Sequence, residues 1–149
     1  MKKWAQTPGW KAMDRFPEFQ VGGQQMKYKI FKSENNRYIV VQVVEPMSRD
    51  LAIEIAIEVD KKRKDFNIKN LLYDMRSSKN VESITTNYFF AYEDLKKINI
   101  DKSMRVAILA NPSDDSHDFV GTAIRNAGYN VCLFKEERLA VGWLEEDGF

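Results

Sequence analysis

From residue 27 onward, the apolar and polar positions divide the chain into short segments of two kinds. Tyr28-Lys-Ile-Phe31 and Arg37-Tyr-Ile-Val-Val-Gln-Val-Val44 are rich in β-branched and aromatic residues and read as strands. Between them Ser33-Glu-Asn-Asn36 predicts a tight turn, because Asn tolerates the positive φ that such turns demand, so the two strands should be antiparallel neighbours. Glu45-Pro46 ends the second strand, since proline brings no N–H to a ladder. Ser48 can then cap a helix with Asp50 in its first turn. The stretch Ile53 to Asp60 alternates with period 2. Even so, polar positions 54, 58, 61, 62 and 65 share one helical face, and Leu51, Ile55 and Val59 form the opposite stripe. At about 17 residues the run is too long for an ordinary strand. It predicts a helix.

Further along, Asn70-Leu-Leu-Tyr73 is a short strand ending at Asp74, and Ser77-Ser-Lys-Asn80 is a loop. Ser83 or Thr85 can cap a helix through Ile98, with Ile84, Tyr88, Ala91, Tyr92, Leu95 and Ile98 on its apolar face. Arg105-Val-Ala-Ile-Leu-Ala110 is nearly continuous in apolar residues, the mark of a strand covered on both faces. Ser113 is the expected cap of the next helix, which carries Phe119, Val120, Ala123, Ile124 and Ala127 inward and closes at Gly128. Val131 to Phe134 is the last strand. A final helix from Glu136 to Glu146 puts Leu139, Ala140, Trp143 and Leu144 on the core. The order β-β-α-β-α-β-α-β-α implies an α/β fold: a mostly parallel central sheet with an N-terminal antiparallel hairpin strand, and helices packed on the sheet.

Residues 1–25 break this rhythm. Pro8, Gly9, Pro17, Gly22 and Gly23 punctuate them, and Trp4, Trp10, Phe16 and Phe19 follow neither helical nor strand spacing. They read as a flexible leader or non-native extension, with Met26 as the natural start and residues 26–149 as the domain. The alternative is a segment whose aromatics dock on the domain or on a partner.

Composition narrows the class. A chain of 149 residues fits one domain, and 44% apolar with 30% charged residues is ordinary globular usage. Lys plus Arg number 23 against 22 Asp plus Glu, a net charge of +1, which argues against nucleic acid as a partner. The single Cys132 lies in an apolar run, where a buried strand thiol is the expected role, and a lone cysteine fits a reducing compartment. No run approaches the 18 or so apolar residues that span a bilayer, and Trp4 to Gly9 is no signal-peptide core. A cytoplasmic protein is expected. No cofactor or metal is implied.

Several of these segments together resemble the STAS domain (sulphate transporter and anti-sigma factor antagonist), in particular its small, single-domain, anti-sigma-antagonist-like group. They are Arg105-Val-Ala-Ile-Leu, Asp114-Asp-Ser-His-Asp-Phe119, Arg125-Asn-Ala-Gly128, Val131 to Phe134 and Trp143-Leu144. The resemblance runs over about residues 27–147. It implies a protein-binding surface sensitive to phosphorylation. The family's Asp-Ser-Ser-Gly falls near Glu82-Ser83, where Ile84 and Thr85 replace the following Ser-Gly. Divergent relatives are thought to hold apolar ligands, and the fold resembles CRAL-TRIO lipid-transfer domains.

In an open α/β sheet, ligands gather at the carboxyl ends of the strands, where helix N-termini point. This makes Arg76, Ser77, Ser78, Ser83 and Thr85 a candidate phosphosite and partner surface, with Arg76 or Lys79 able to pair with a phosphoryl group on Ser83. Ser48, Ser113, Ser116 and His117 form a candidate helix-tip rim. Plain capping accounts equally for the Ser and Thr residues, and His117 reads as a solvated first-turn residue. Tyr73, Tyr88, Phe89, Phe90 and Tyr92 surround the second helix, which presents apolar groups on more than one side; deep burial accounts for this, and otherwise Tyr88, Phe89 and Tyr92 are the candidate apolar pocket or a dimer contact. The reading that results is a non-enzymatic regulatory or interaction domain, holding a protein partner or a small apolar molecule, with a homodimer open. The alternative is an enzyme or a phospho-receiver on a flavodoxin-like sheet, with Asp74 as its acceptor. No P-loop, G-x-G-x-x-G or G-x-S-x-G supports it.

Overall fold

The computed structural model describes residues 20–21 and 24–146. The expected leader falls largely outside them, although Gln20–Val21 and Gln24–Gln25 form a short antiparallel pair. The domain consists of β1 (Tyr28–Lys32), β2 (Ile39–Val43), α1 (Arg49–Phe66), β3 (Leu71–Asp74), α2 (Ile84–Phe89), a π-helical turn (Phe90–Asp94), α3 (Leu95–Ile98), β4 (Arg105–Leu109), α4 (Asp118–Asn126), β5 (Asn130–Phe134) and α5 (Glu137–Leu144). The five strands lie side by side in chain order. β1 runs antiparallel to β2, in register from Tyr28↔Val43 to Lys32↔Ile39, and every later pairing is parallel. The α/β class, the element order and the crossover helix over residues 51–65 are as the sequence predicts.

Chain-ordered parallel strands joined by right-handed crossovers place every crossover helix on the same side of the sheet. Two separate cores result. On one face Ile39, Val41, Leu71, Ile108 and Val131 pack against Leu51, Ile55 and Val59 of α1, with Ile124 of α4 at the edge. On the other, Val40, Leu72, Ala107 and Leu109 meet Ala140 and Leu144 of α5. Alternation along each strand sends successive residues to opposite cores, which is why the central strands carry so few polar positions.

Local chemistry sets the boundaries. Asn36 turns the β1–β2 hairpin with φ 59°. The Ser48 hydroxyl accepts the Leu51 N–H at 3.2 Å and starts α1. Asn67 and Asn99 end α1 and α3 in the left-handed region where glycine is usual, and Gly128 follows α4 at φ 105°. The buried Arg105 guanidinium donates to the Trp143 carbonyl at 2.7 Å, and the Asn70 amide donates to that of Leu144 at 3.0 Å. Both satisfy carbonyls that the end of α5 leaves free.

Three helical expectations need correction. The second helix does not bury Ile84 and Tyr88, which are 65% and 48% exposed; Asn87 faces inward instead. The π turn is the reason. It spends more residues per revolution than an α-helix, so it rotates the upstream segment by about one residue position relative to Leu95. Ser113 caps nothing: its N–H and hydroxyl turn back onto the Asn111 side chain, and α4 begins only at Asp118, leaving Phe119 exposed. Leu139 of α5 is likewise exposed, while Ala140 and Leu144 are buried.

Candidate functional site

Leu95 of α3 and Phe90 of the π turn cluster with Ala56 of α1, Ile124 of α4 and Tyr129 just beyond it, none of them on a strand. The second helical segment therefore rides on its two neighbours instead of settling onto the sheet. Beneath it lies a cavity of about 130 Å³, floored by Leu71, Tyr73, Val106, Ile108 and Val131 and walled by Ala52, Ala56, Phe90, Leu95, Val120 and Ile124. Tyr73 and Val106 sit on strands flanked on both sides, yet both stay only half-buried. Their remaining exposure is toward this space.

Polar groups collect at its edges. Arg49 lines the cavity, and its side chain is 43% exposed, which marks where the space reaches solvent. Its guanidinium grips the buried Asp94 of the π turn through two bonds of 2.7 and 2.9 Å, tying the start of α1 to the irregular turn. The Asn80 and Asn87 amides pair at 3.1 and 3.2 Å. Asp60 is held by Arg63 at 2.9 Å and Lys64 at 3.1 Å. The Tyr73 hydroxyl hydrogen-bonds no described residue, and burial alone pushes its ionisation well above the ordinary tyrosine value.

The loops at the carboxyl ends of the strands do converge, as the sequence implies, and they are laced together. The Met47 N–H donates to the Lys79 carbonyl at 2.7 Å and that of Val81 to the Met47 carbonyl at 3.0 Å, extending the parallel pairing. The Ser78 hydroxyl donates to the Glu45 carbonyl at 2.6 Å, and the Ser116 hydroxyl accepts the Asn80 N–H at 2.8 Å. His117 is not a solvated residue, as expected from sequence. It is 2% exposed, its Nε2 lies 2.6 Å from the Ser78 carbonyl, and it borders the cavity. A carbonyl only accepts, so this nitrogen carries the proton. Burial raises the neighbouring Asp114 carboxyl, but the Ser116 N–H and hydroxyl, with His117 and Lys79, outweigh it and hold the group below its ordinary value.

The sequence-predicted residues are thus divided among different roles. Ser83 caps α2, accepting the Thr86 N–H at 3.1 Å, and stays exposed with Ser77 and Thr85. Arg76 is committed elsewhere: its guanidinium holds both oxygens of Asp74 at 2.9 Å and reaches Glu137 at 2.9 Å. Asp74, the candidate phospho-acceptor, is buried in that grip. Of the expected pocket, Tyr88, Phe89 and Tyr92 line none of the cavity; Tyr88 and Tyr92 stack at 4.5 Å. Phe90 takes the inward place; it and Tyr73 belong to the aromatic group that the sequence puts around the second helix, whereas Val106 is what sequence reading missed. The signal for Phe90 is Asn87-Tyr-Phe-Phe90, a run with no single helical phase.

Among the described residues no three His, Cys, Asp or Glu side chains gather as a metal site would need, and no helix is long and apolar enough to cross a membrane. Fold and site together define a mostly parallel α/β domain with a partly open, largely apolar space under its second crossover. The chain is similar to an uncharacterised protein of the DUF3478 family from Shewanella loihica PV-4, described as having a SpoIIAA-like fold. The two are 20% identical over 78% of this chain and 91% of that one, with a TM-score of 0.48. No protein-family model and no curated protein matches the chain.

Proposed function

We propose that this protein is a non-enzymatic binding domain that holds a small apolar molecule beneath its second helix and presents the outer side of that helix to a protein partner. The observation that carries this reading is the cavity, whose floor leaves Tyr73 and Val106 partly open in the middle of an otherwise close-packed sheet. Natural interiors hold few voids of this size, and an apolar one of roughly 150 Å³ is enough to take benzene. On the outer side of the same helix Val81, Ile84, Tyr88 and Phe89 are 45–65% exposed around Ser83. Occupancy inside and recognition outside would then share one element.

Absence of turnover is part of the same reading. Cys132 is in register with Ala107, on the face covered by α5, whereas His117 borders the cavity on the opposite face. The two are placed for no joint nucleophile and base chemistry.

Titration of the full chain with toluene, followed by methyl chemical shifts of Ile108, Val131 and Leu95, tests the proposal. Saturable shifts confined to these cavity-lining methyls are expected. Unmoved methyls up to the solubility limit of toluene would sink it.

A further inference from the structure

A group on the floor of the cavity bears on what kind of molecule it selects. Tyr73 lies on the middle strand and faces the space, and its hydroxyl bonds no described residue. Of the other polar groups at the walls, Arg49 is engaged with Asp94, Asn80 with Asn87, His117 with the Ser78 carbonyl, and Asp60 with Arg63 and Lys64; the Tyr129 hydroxyl also hydrogen-bonds no described residue, but it stands on the wall beside the Lys102 ammonium, whereas Tyr73 rises from the floor. A hydroxyl that faces the cavity without a protein partner is free to bond an occupant of that space. A tyrosine hydroxyl is protonated at neutral pH, so it can both donate and accept.

Size sets the second limit. The volume is close to that of a space that takes one aromatic ring, and well below the roughly 300–1,000 Å³ of sites for larger ligands. A long-chain lipid would not fit wholly inside it. Charge sets the third, since a carboxylate or ammonium would lose its water with no free counter-charge on the wall.

We infer that the cavity selects an uncharged molecule of one ring or a short chain bearing a single carbonyl, ether or hydroxyl, with the Tyr73 hydroxyl as its hydrogen-bond partner. This rests on the cavity-binding reading above and adds the chemical class of the ligand.

Cyclohexanone and methylcyclohexane, nearly equal in size, separate the two claims. Each is titrated into the full-length wild type and into Tyr73→Phe, which removes the hydroxyl and keeps the ring. Binding is read from the same methyl shifts, and circular dichroism checks the fold. The variant should weaken cyclohexanone about five-fold, the worth of one neutral hydrogen bond, and leave methylcyclohexane unchanged or tighter. Val106→Ile, which narrows the cavity, should weaken both probes and so locate them in this space. If Tyr73→Phe leaves cyclohexanone unaffected, or weakens both probes equally, the role of Tyr73 is overturned while the cavity reading stands. If neither probe binds the wild type, the cavity reading itself fails.

Discussion

Replacing Val106 by isoleucine turns the packing argument into a question of sign. Val106 pairs in register with Leu71 on one side and Val131 on the other, both nearly inaccessible, yet it remains half-buried because it faces the cavity. Isoleucine keeps the β-branched shape that strands favour and adds one methylene. Directed into the cavity, that methylene stabilises the fold by about 0.8 kcal/mol. In a filled core the same group costs about 1–3 kcal/mol through displaced neighbours. Urea unfolding distinguishes the two outcomes. With a slope of about 1–3 kcal/mol/M for a small domain, the midpoint should rise by roughly 0.3–0.8 M at unchanged slope. A midpoint that falls by a similar amount would show that α2 and α3 sit down on the sheet and that the cavity reasoning is wrong.

Other consequences can be tested on the same scale. Gly128→Ala should destabilise by about 1–2 kcal/mol in thermal or urea unfolding, because φ is 105° there, while the nearest obstacle to the new Cβ is only the flexible end of Lys102 at 3.2 Å. Ser83→Ala should cost about 1 kcal/mol by loss of the cap, without altering toluene binding. Asp114 has its folded pKa held below the unfolded value of about 3.9, so its contribution is complete above that value and disappears as the pH falls through the folded one. Asp114→Asn should therefore lower stability near pH 7 and flatten the acid limb of the stability–pH curve; an unchanged limb would contradict the assignment.

How far the sequence reaches differs from element to element. The turn at Asn36, the cap at Ser48, the Leu51–Ile55–Val59 stripe and the Gly128 stop are each decided by the local chemistry of a few neighbouring residues, and the structure has them where the spacing puts them. Fold class follows, because alternating strands and helices leave few ways to join parallel neighbours. Reading fails where one residue's place depends on distant ones. Spacing alone puts the start of α4 too early because Ser113 resembles a cap, whereas the chain turns on Asn111 and Asp114 before His117 reaches the Ser78 carbonyl from 39 positions away. Ser116, a residue of the expected helix-tip rim, and Ser78, a residue of the expected partner surface, spend their hydroxyls binding loops to one another.

What the chain determines by itself is the set of elements, their order, and the apolar stripe each one must hide, since period and capping act over a single turn or strand. The cavity belongs to the tertiary structure. It exists because a π turn rephases the second helix, putting Phe90 and Asn87 inside and Tyr88 outside, and because that helix rests on α1 and α4 instead of on Tyr73 and Val106. Both are matters of how finished elements fit in three dimensions, and hydrophobic spacing along one segment carries no record of the gap left between two others.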